Sequence, residues 1–339
     1  MVRISDIVQL KAPQIEPANR VVRAVTAVIA PPAVVPAPNE SGFKAADSQS
    51  LYADLVLACQ RSMEDARREQ SFRLGPIVPL TERLIDRLSQ RDAELFRLST
   101  IEDGGFSLAR HGVNVAILSV RVGMARDYKK PRLLDLALAA MLHDIGMMAV
   151  GHLVSASGAL NPDQRAQMHE HPVVGHRLVE RCRDLDPFVC DIVAQEHERD
   201  DGSGYPHGLA GNRIHEQAQL VGLLDYYEAL IHDRPYRRRL LPAEAMRVML
   251  TGSRDAFRRE LWRAFLDEMP VFPVDTWVRL TSGELARVVS VRREAPLSPV
   301  VTLLTDRDGH PRFRADTIDL SKESRLAIDR AVPEPLLAE

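Results

Sequence analysis

The chain has 339 residues, of which 45% are hydrophobic and 27% charged, a composition that predicts folded structure with a sizeable core. Its 44 basic and 47 acidic residues leave a net charge of -3, which argues against a dedicated nucleic-acid-binding protein, because such proteins carry a basic excess. The three cysteines are too few and too scattered for a disulfide framework, so a reducing cytoplasm is the expected location.

Residues 1–45 predict a flexible arm, because six prolines between Pro13 and Pro38 lie among alanines and valines. The most apolar early stretch, residues 24–37, is 14 residues long and is interrupted by three prolines. A membrane span needs about 20 apolar residues, so neither a span nor a targeting segment is expected here.

Residues 46–100 predict an N-terminal helical region. Apolar residues recur every fourth position from Leu51 to Met63, and a second apolar run extends from Leu80 to Leu95. Two such faces either form a homodimerisation element or pack against the next domain, and the sequence leaves both alternatives open.

Residues 101–270 predict an almost entirely helical domain, apart from a loop rich in glycine and aspartate at 199–212. Valine-rich runs then predict a small β module over residues 271–325, followed by a tail at 326–339. The expected fold class is therefore mostly α, with a helical N-terminal region and a small C-terminal β module.

Histidine is concentrated in one part of the chain. Ten of the 11 histidines lie between His111 and His232, where about four would fall by chance. The strongest single feature is the pair His143-Asp144, which ends an apolar helix and is followed closely by a glycine. Imidazole and carboxylate together suit divalent Fe, Mn or Zn, so the sequence predicts a metal site.

Other polar strings follow this pair in a fixed order. They are His171-Pro172-Val173-Val174-Gly175, Glu196-His197-Glu198, Asp201-Gly202-Ser203-Gly204-Tyr205-Pro206, Asp225-Tyr226-Tyr227-Glu228 and Arg234-Pro235-Tyr236-Arg237. In this order and spacing the set resembles the HD-GYP family, a subgroup of the HD-superfamily metal phosphohydrolases. The resemblance covers roughly residues 105–270.

The resemblance implies an HD-type helical bundle that hydrolyses cyclic di-GMP to linear pGpG or GMP by a metal-activated hydroxide, in bacterial signalling. It implies two divalent ions, iron first and manganese as the alternative. The metal ligands that it implies are His111, His143, Asp144, His171, Glu196, His197 and Asp225. Of these, His143 and Asp144 form the catalytic pair, and Asp144 is the bridging carboxylate.

The resemblance also implies a set of substrate contacts. These are Gly204, Tyr205, Pro206, Glu228, Arg234 and Arg237. Glu228 falls where relatives usually carry aspartate. The Gly-Tyr-Pro string is, in addition, a candidate docking surface for a signalling protein.

Three further positions depart from the family pattern. Glu196 replaces a histidine, which raises the number of anionic ligands to three and favours harder metals. Met147 replaces a lysine, and losing one charge partner for the phosphate costs about 3 kcal/mol in the transition state. Ser107 replaces an acidic residue, which favours two metals over three. A weak or inactive domain that serves as a cyclic-dinucleotide receptor or scaffold is therefore the alternative to a working phosphodiesterase.

Overall fold

The computed structural model describes residues 44–68, 73–101, 106–150, 161–183, 185–234, 237–292, 295–312, 314 and 316–333. The described chain divides into two compact units. Residues 44–240 and 248–268 form a helical unit, and residues 241–247 and 269–333 form a second unit. The predicted mostly α fold with a small β module is confirmed, whereas the proline-rich arm lies outside the described residues.

Most of the chain is helical. The α-helices are α1 (Ala45–Arg68), α2 (Ile77–Ser89), α3 (Ala93–Leu98), α4 (Leu108–Ala125), α5 (Lys130–Leu142), α6 (Pro162–His169), α7 (His171–Val179), α8 (Pro187–Gln195), α9 (Glu216–Ile231), α10 (Pro242–Gly252) and α11 (Arg259–Glu268). Short 3₁₀ helices occur at His143–Ala149, Gly211–Arg213, Arg254–Ala256 and Leu320–Lys322. Within the described residues, no helix combines the length and hydrophobicity that a membrane crossing requires.

The N-terminal helices belong to the same compact unit as the helices that follow. The apolar stripe of α1 is buried, and the Cys59 thiol donates to the carbonyl of Met141 at 3.3 Å. On the same helix, the Tyr52 hydroxyl donates to Oδ1 of Asn114 at 2.7 Å. The two alternatives for this stripe were homodimerisation and packing within the chain. The structure shows packing, because helices of the same chain cover the stripe.

Helices α4 and α9 form the centre of the helical unit. In α4 13 of 18 residues are buried and in α9 14 of 16, as expected for core helices. Ser107 is the N-cap of helix α4, and its side chain accepts from the backbone N–H of Arg110 at 3.5 Å. The close approach of α4 to α5 depends on Gly112, where a Cβ atom would overlap the carbonyl of Met141. The first turn of α4 carries His111, so this packing fixes the position of the His111 side chain along the axis of α4.

The second unit contains a five-stranded antiparallel sheet in the order β4-β3-β2-β1-β5. Its strands are β1 (Trp277–Leu280), β2 (Leu285–Ser290), β3 (Val300–Leu303), β4 (Thr317–Asp319) and β5 (Ile328–Val332). The prediction of a tail at 326–339 is wrong for residues 328–332, because β5 pairs with β1, with Val332 opposite Trp277. Alternate side chains such as Val278 and Leu280 face a common apolar core.

Candidate metal centre

Seven ionisable side chains converge inside the helical unit as two adjoining clusters. One cluster contains Asp144, His171, Glu196 and His197, and the other contains His111, His143 and Asp225. Within each cluster, the candidate ligand atoms all lie within 4.8 Å of one another. The structure therefore brings together every residue that the sequence predicts as a metal ligand.

Asp144 connects the two clusters. Its Oδ2 atom lies 3.6 Å from Nε2 of His143 and 3.7 Å from Nε2 of His111. Its Oδ1 atom lies 3.4 Å from Nε2 of His171, in the other cluster. The Asp144 side chain is 17% exposed, whereas those of the other six are at most 7% exposed. The bridging carboxylate is thus also the one that faces solvent.

The backbone around the His-Asp pair explains this geometry. At His143 the chain passes from α5 into a 3₁₀ helix, whose tighter turn presents His143 and Asp144 together. A Cβ atom at Gly146 would overlap the carbonyl of His171, so only glycine lets this segment lie directly against the start of α7. This contact sets the short distance between Asp144 and His171.

Two histidines are oriented by backbone carbonyls. Nδ1 of His143 donates to the carbonyl of Ala140 at 2.7 Å, and Nδ1 of His171 donates to the carbonyl of Met168 at 2.7 Å. A proton fixed on Nδ1 leaves the lone pair of Nε2 available for a metal ion, which is how proteins orient metal-binding imidazoles. Both Nε2 atoms point into the clusters.

Glu228, which the sequence analysis listed among the substrate contacts, bonds to residues within the protein on the Nδ1 side of His111. It is buried, and its Oε2 atom accepts from Nδ1 of His111 at 2.5 Å, while Oε1 accepts from Nδ2 of Asn114 at 2.9 Å. The spacing from Asp225 explains the placement, because residues i and i+3 share one face of α9 and both meet the same imidazole. Sequence reasoning missed Asn114 and Tyr52, which continue this hydrogen-bonded chain.

The two arginines predicted to contact the nucleotide make bonds within the protein. Arg234 donates to Oε2 of Glu228 at 3.0 Å, and its guanidinium lies 4.5 Å from the ring centre of Phe106. Arg237 donates to the carbonyls of Ala229 and Leu230. Arg234 also lies 3.1 Å from Nδ1 of His111, and the contacts described for both arginines are within the protein.

Glu196 points into the cluster as the replaced histidine would. It is fully buried, and its Oε1 atom lies 3.3 Å from Nε2 of His171 and 3.1 Å from Nε2 of His197. Burial raises the pKa of this carboxyl, and neighbouring imidazoles oppose that rise. Its Oε2 atom has no hydrogen-bond partner among the described residues. A buried carboxylate oxygen without a donor is a suitable ligand for a cation.

The electrostatics of the site favour bound positive charge. Burial alone would lower the pKa of His143, but Asp144 and Asp225 raise it to about 10. Burial raises the pKa of Asp225, yet the hydrogen bond from His111 and the nearby imidazole of His143 hold it well below its usual range. The carboxylates thus form a buried anionic field that protons or metal ions neutralise.

The residues present fit divalent metal ions. Nε2 of His171 and Nε2 of His197 lie 3.1 Å apart, a separation that one shared proton or one shared cation accounts for. Ligand atoms about 2.1 Å from one metal ion are about 3.0–3.4 Å from each other. Nε2 of His111 and Oδ1 of Asp225 are 3.0 Å apart, and Nε2 of His171 and Oε1 of Glu196 are 3.3 Å apart. Nε2 of His143 also lacks a hydrogen-bond partner among the described residues.

The Gly-Tyr-Pro loop lies against the cluster that contains His197. Tyr205 is partly exposed, its ring is stacked on His197 with the centroids 4.6 Å apart, and burial raises its pKa well above the usual range. Sequence reasoning missed Glu198, which is fully buried and accepts from the backbone N–H groups of His207 at 2.7 Å and Leu209 at 2.8 Å. The sequence signal that could have predicted this role is the position of an acidic residue just before a glycine-rich loop.

The other two departures from the pattern also have clear positions. Met147 is buried in the 3₁₀ helix that carries His143 and Asp144, so this position supplies apolar surface instead of a charge. Ser107 acts as the N-cap of α4, which uses its hydroxyl oxygen for the helix.

Comparisons with known proteins match both units. The sequence model of the HD domain family matches residues 79–261, and that of the KOW domain associated with HD domain matches residues 277–338. The second match, like β5, extends beyond the predicted limit of the β module.

Two curated relatives and one solved structure resemble the chain. A cyclic di-GMP phosphodiesterase of Pseudomonas aeruginosa is 28% identical over 91% of the chain and 75% of the relative. A probable cyclic di-GMP phosphodiesterase of Vibrio cholerae is 32% identical over 60% of the chain and 49% of the relative. The structure of an HDG"Y"P protein from Bdellovibrio bacteriovorus has a TM-score of 0.55 and 18% identity, covering 66% of this chain and 72% of that one.

Proposed function

Because the chain belongs to the HD domain family, we propose that it is a metal-dependent phosphodiesterase that hydrolyses cyclic di-GMP. The observation that carries the proposal is Asp144, whose two oxygens face two different histidine clusters. A pair of adjacent cation sites joined by one carboxylate is the arrangement that phosphodiester hydrolysis uses. The relatives named above have the same substrate in their names.

The proposed sites divide the seven residues between two divalent ions. His111, His143 and Asp225 would hold one ion, His171, Glu196 and His197 the other, and Asp144 both. When bound, the ions would supply Lewis acidity that activates water and neutralises phosphate charge. With Glu196 in place of a histidine, three carboxylates contribute to the sites, so we propose iron or manganese as the metal.

The protein's own residues orient the metal-binding imidazoles and keep bulk water out of the site. Carbonyl and carboxylate acceptors fix the tautomers of His111, His143 and His171, so no rearrangement is needed when the phosphodiester binds. Six of the seven side chains are buried, which keeps bulk water away from all sides except that of Asp144. The substrate phosphate would therefore enter beside Asp144.

A second candidate function is a cyclic-dinucleotide receptor with little or no turnover. Two observations favour it. The position of the phosphate-binding lysine is the buried Met147, and Arg234 forms an ion pair with Glu228. A phosphate that binds here meets fewer preorganised charges, and the loss of one such partner lowers the rate by roughly 100-fold.

The test is a direct assay of the purified full chain. The protein is loaded anaerobically with Fe(II) or with Mn(II), cyclic di-GMP is added, and linear pGpG and GMP are quantified. Asp144→Asn is the matched variant, because it keeps the volume of the side chain and removes its charge. We expect turnover by the loaded wild-type chain and loss of activity by at least about 100-fold in the variant.

The possible outcomes separate the two functions. Binding of cyclic di-GMP without turnover under either metal would replace the enzyme with the receptor. Neither binding nor turnover, in a folded protein with two metals per chain, would overturn both and direct attention to other cyclic dinucleotides.

A further inference from the structure

The four histidines of the centre are held in two different ways. Nδ1 of His111, of His143 and of His171 each donates to an oxygen atom on the far side of its ring. Nδ1 of His197 is buried and has no hydrogen-bond partner among the described residues. The usual device for fixing a metal-binding imidazole is therefore missing from His197 alone among these four.

An aromatic stack contacts His197 instead. The Tyr205 ring lies nearly parallel to the His197 imidazole, with the centroids 4.6 Å apart and an interplanar angle of 26°. The outer face of Tyr205 is covered by His169, at 3.9 Å between centroids and 8° between planes. Stacked aromatic pairs contribute about 0.5–1.5 kcal/mol beyond their buried area, which is enough to select one ring orientation.

The loop backbone is built to bring Tyr205 to this position. The N–H of Tyr205 donates to the carbonyl of His197 at 3.2 Å. At Gly204, a Cβ atom would overlap the backbone of residues 197–199, so only glycine allows the loop to lie this close. The carboxylate of Glu198 closes the far side of the loop by accepting from the N–H groups of His207 and Leu209.

We propose that Tyr205 is a positioning residue for the metal ligand His197, and that its stacked ring replaces the missing hydrogen bond at Nδ1. This inference rests on the proposed metal site. It gives the Gly-Tyr-Pro string a role in holding that site together, where the sequence predicted contact with substrate or docking of a partner. Because a ring that stacks needs no hydroxyl, the role depends on the aromatic face of Tyr205 and not on its oxygen.

The experiment compares Tyr205→Phe with Tyr205→Leu in the full chain. Mn(II) affinity and the number of ions retained per chain are measured by chelator competition and elemental analysis, without nucleotide. We expect the Mn(II) affinity of Tyr205→Phe to lie within about twofold of that of the wild type. Tyr205→Leu should bind the ion of the cluster that contains His197 about 10–100-fold less tightly, the cost typical of losing an outer partner of a ligand.

Two further variants make the comparison specific. Phe188→Leu is the matched control, since Phe188 also lies against a histidine ring, that of His215, away from the clusters. It should leave Mn(II) affinity unchanged. His169→Leu removes the outer layer of the stack, and we expect an intermediate loss of affinity. This variant also keeps the proposal testable if Tyr205→Leu does not fold, as judged by circular dichroism of the metal-free protein.

Several results would overturn the proposal. Wild-type Mn(II) affinity in Tyr205→Leu would do so, as would equal losses in the Phe and Leu variants, because the hydroxyl would then be the important group. An increased KM for cyclic di-GMP in both variants with unchanged metal binding would assign Tyr205 to the substrate. A failure of the proposed function is distinguishable, because it would leave these metal affinities and their order intact.

Discussion

Glu228 and Asp225 bind opposite edges of one imidazole. Oε2 of Glu228 lies 2.5 Å from Nδ1 of His111, and Oδ1 of Asp225 lies 3.0 Å from Nε2 of the same ring. Both carboxylates come from one face of α9, whereas the histidine comes from the first turn of α4. The packing of these two helices therefore sets both the tautomer and the direction of His111.

Changing Glu228 should weaken metal binding without touching a ligand. Glu228→Gln removes the charge that accepts from Nδ1, and Glu228→Ala removes the acceptor and leaves Arg234 without this partner. We expect Mn(II) affinity to fall by about 10-fold in the first variant and about 100-fold in the second. Chelator competition measures both, with the exposed Glu323→Gln as control. Wild-type affinity in both variants would show that Glu228 does not position His111.

Glu196 should set the preference between metals. Glu196→His restores two adjacent histidines and reduces the anionic ligands from three to two, so the preference for the harder Mn(II) over Fe(II) should fall. The measurement is anaerobic competition of Mn(II) against Fe(II), with metal content determined after desalting. Glu260→His, an exposed change on α11 outside the clusters, is the control. An unchanged ratio would argue that Glu196 is not a ligand.

The family resemblance, carried by short polar strings of fixed spacing, predicted six of the seven candidate ligands within those strings and His111 outside them. His143 and Asp144 are adjacent, Glu196 and His197 are adjacent, and local geometry places each pair at a helix end. The remaining step, that Asp144 faces both clusters, depends on contact between segments far apart in sequence.

The hydrogen-bonded residues behind the candidate ligands could not be predicted from the sequence in the same way. Tyr52 and Asn114 are 62 residues apart, and neither lies in a polar string. Strand β5 was missed for a related reason, because Asp329 and Arg330 interrupt its apolar residues and its pairing on β1 is decided in space. Edge strands carry such charges at little cost, which weakens their sequence pattern.

Gly146 should be needed both for stability and for the metal site. A Cβ atom there would overlap the carbonyl of His171, so Gly146→Ala should separate the 3₁₀ helix from α7 and cost about 1–3 kcal/mol. Gly175→Ala is the graded comparison, since its Cβ atom would meet the Val193 side chain at 3.1 Å, and a side chain can move. We expect a larger fall in melting temperature and in bound metal for Gly146→Ala. Equal effects would show that the distance from Asp144 to His171 is set elsewhere.

Glu216 should give a pH-dependent contribution to stability, far from the metal ligands. It begins α9 and accepts from Arg126 at 2.8 Å, Tyr128 at 2.5 Å and Arg132 at 3.1 Å. Burial would raise its pKa, but the hydroxyl of Tyr128 and the two arginines hold the pKa below the ordinary 4.5. A depressed pKa means that the ionised form is stabilised by folding, so the contribution is complete above pH 4.5 and is lost as the pH falls through the folded value.

The variant that tests this contribution is Glu216→Gln. Its amide cannot satisfy three donors, so the free energy of unfolding at pH 7 should fall by about 1–2 kcal/mol, a value limited by partial exposure of the cluster. Urea unfolding at intervals from pH 3 to pH 8 measures the difference from the wild type, which should be constant above pH 6 and shrink below pH 4.5. Glu260→Gln, an exposed change in the first turn of α11, controls for the charge at a helix start. A difference that persists unchanged at the lowest pH would show that the carboxylate charge is not its source.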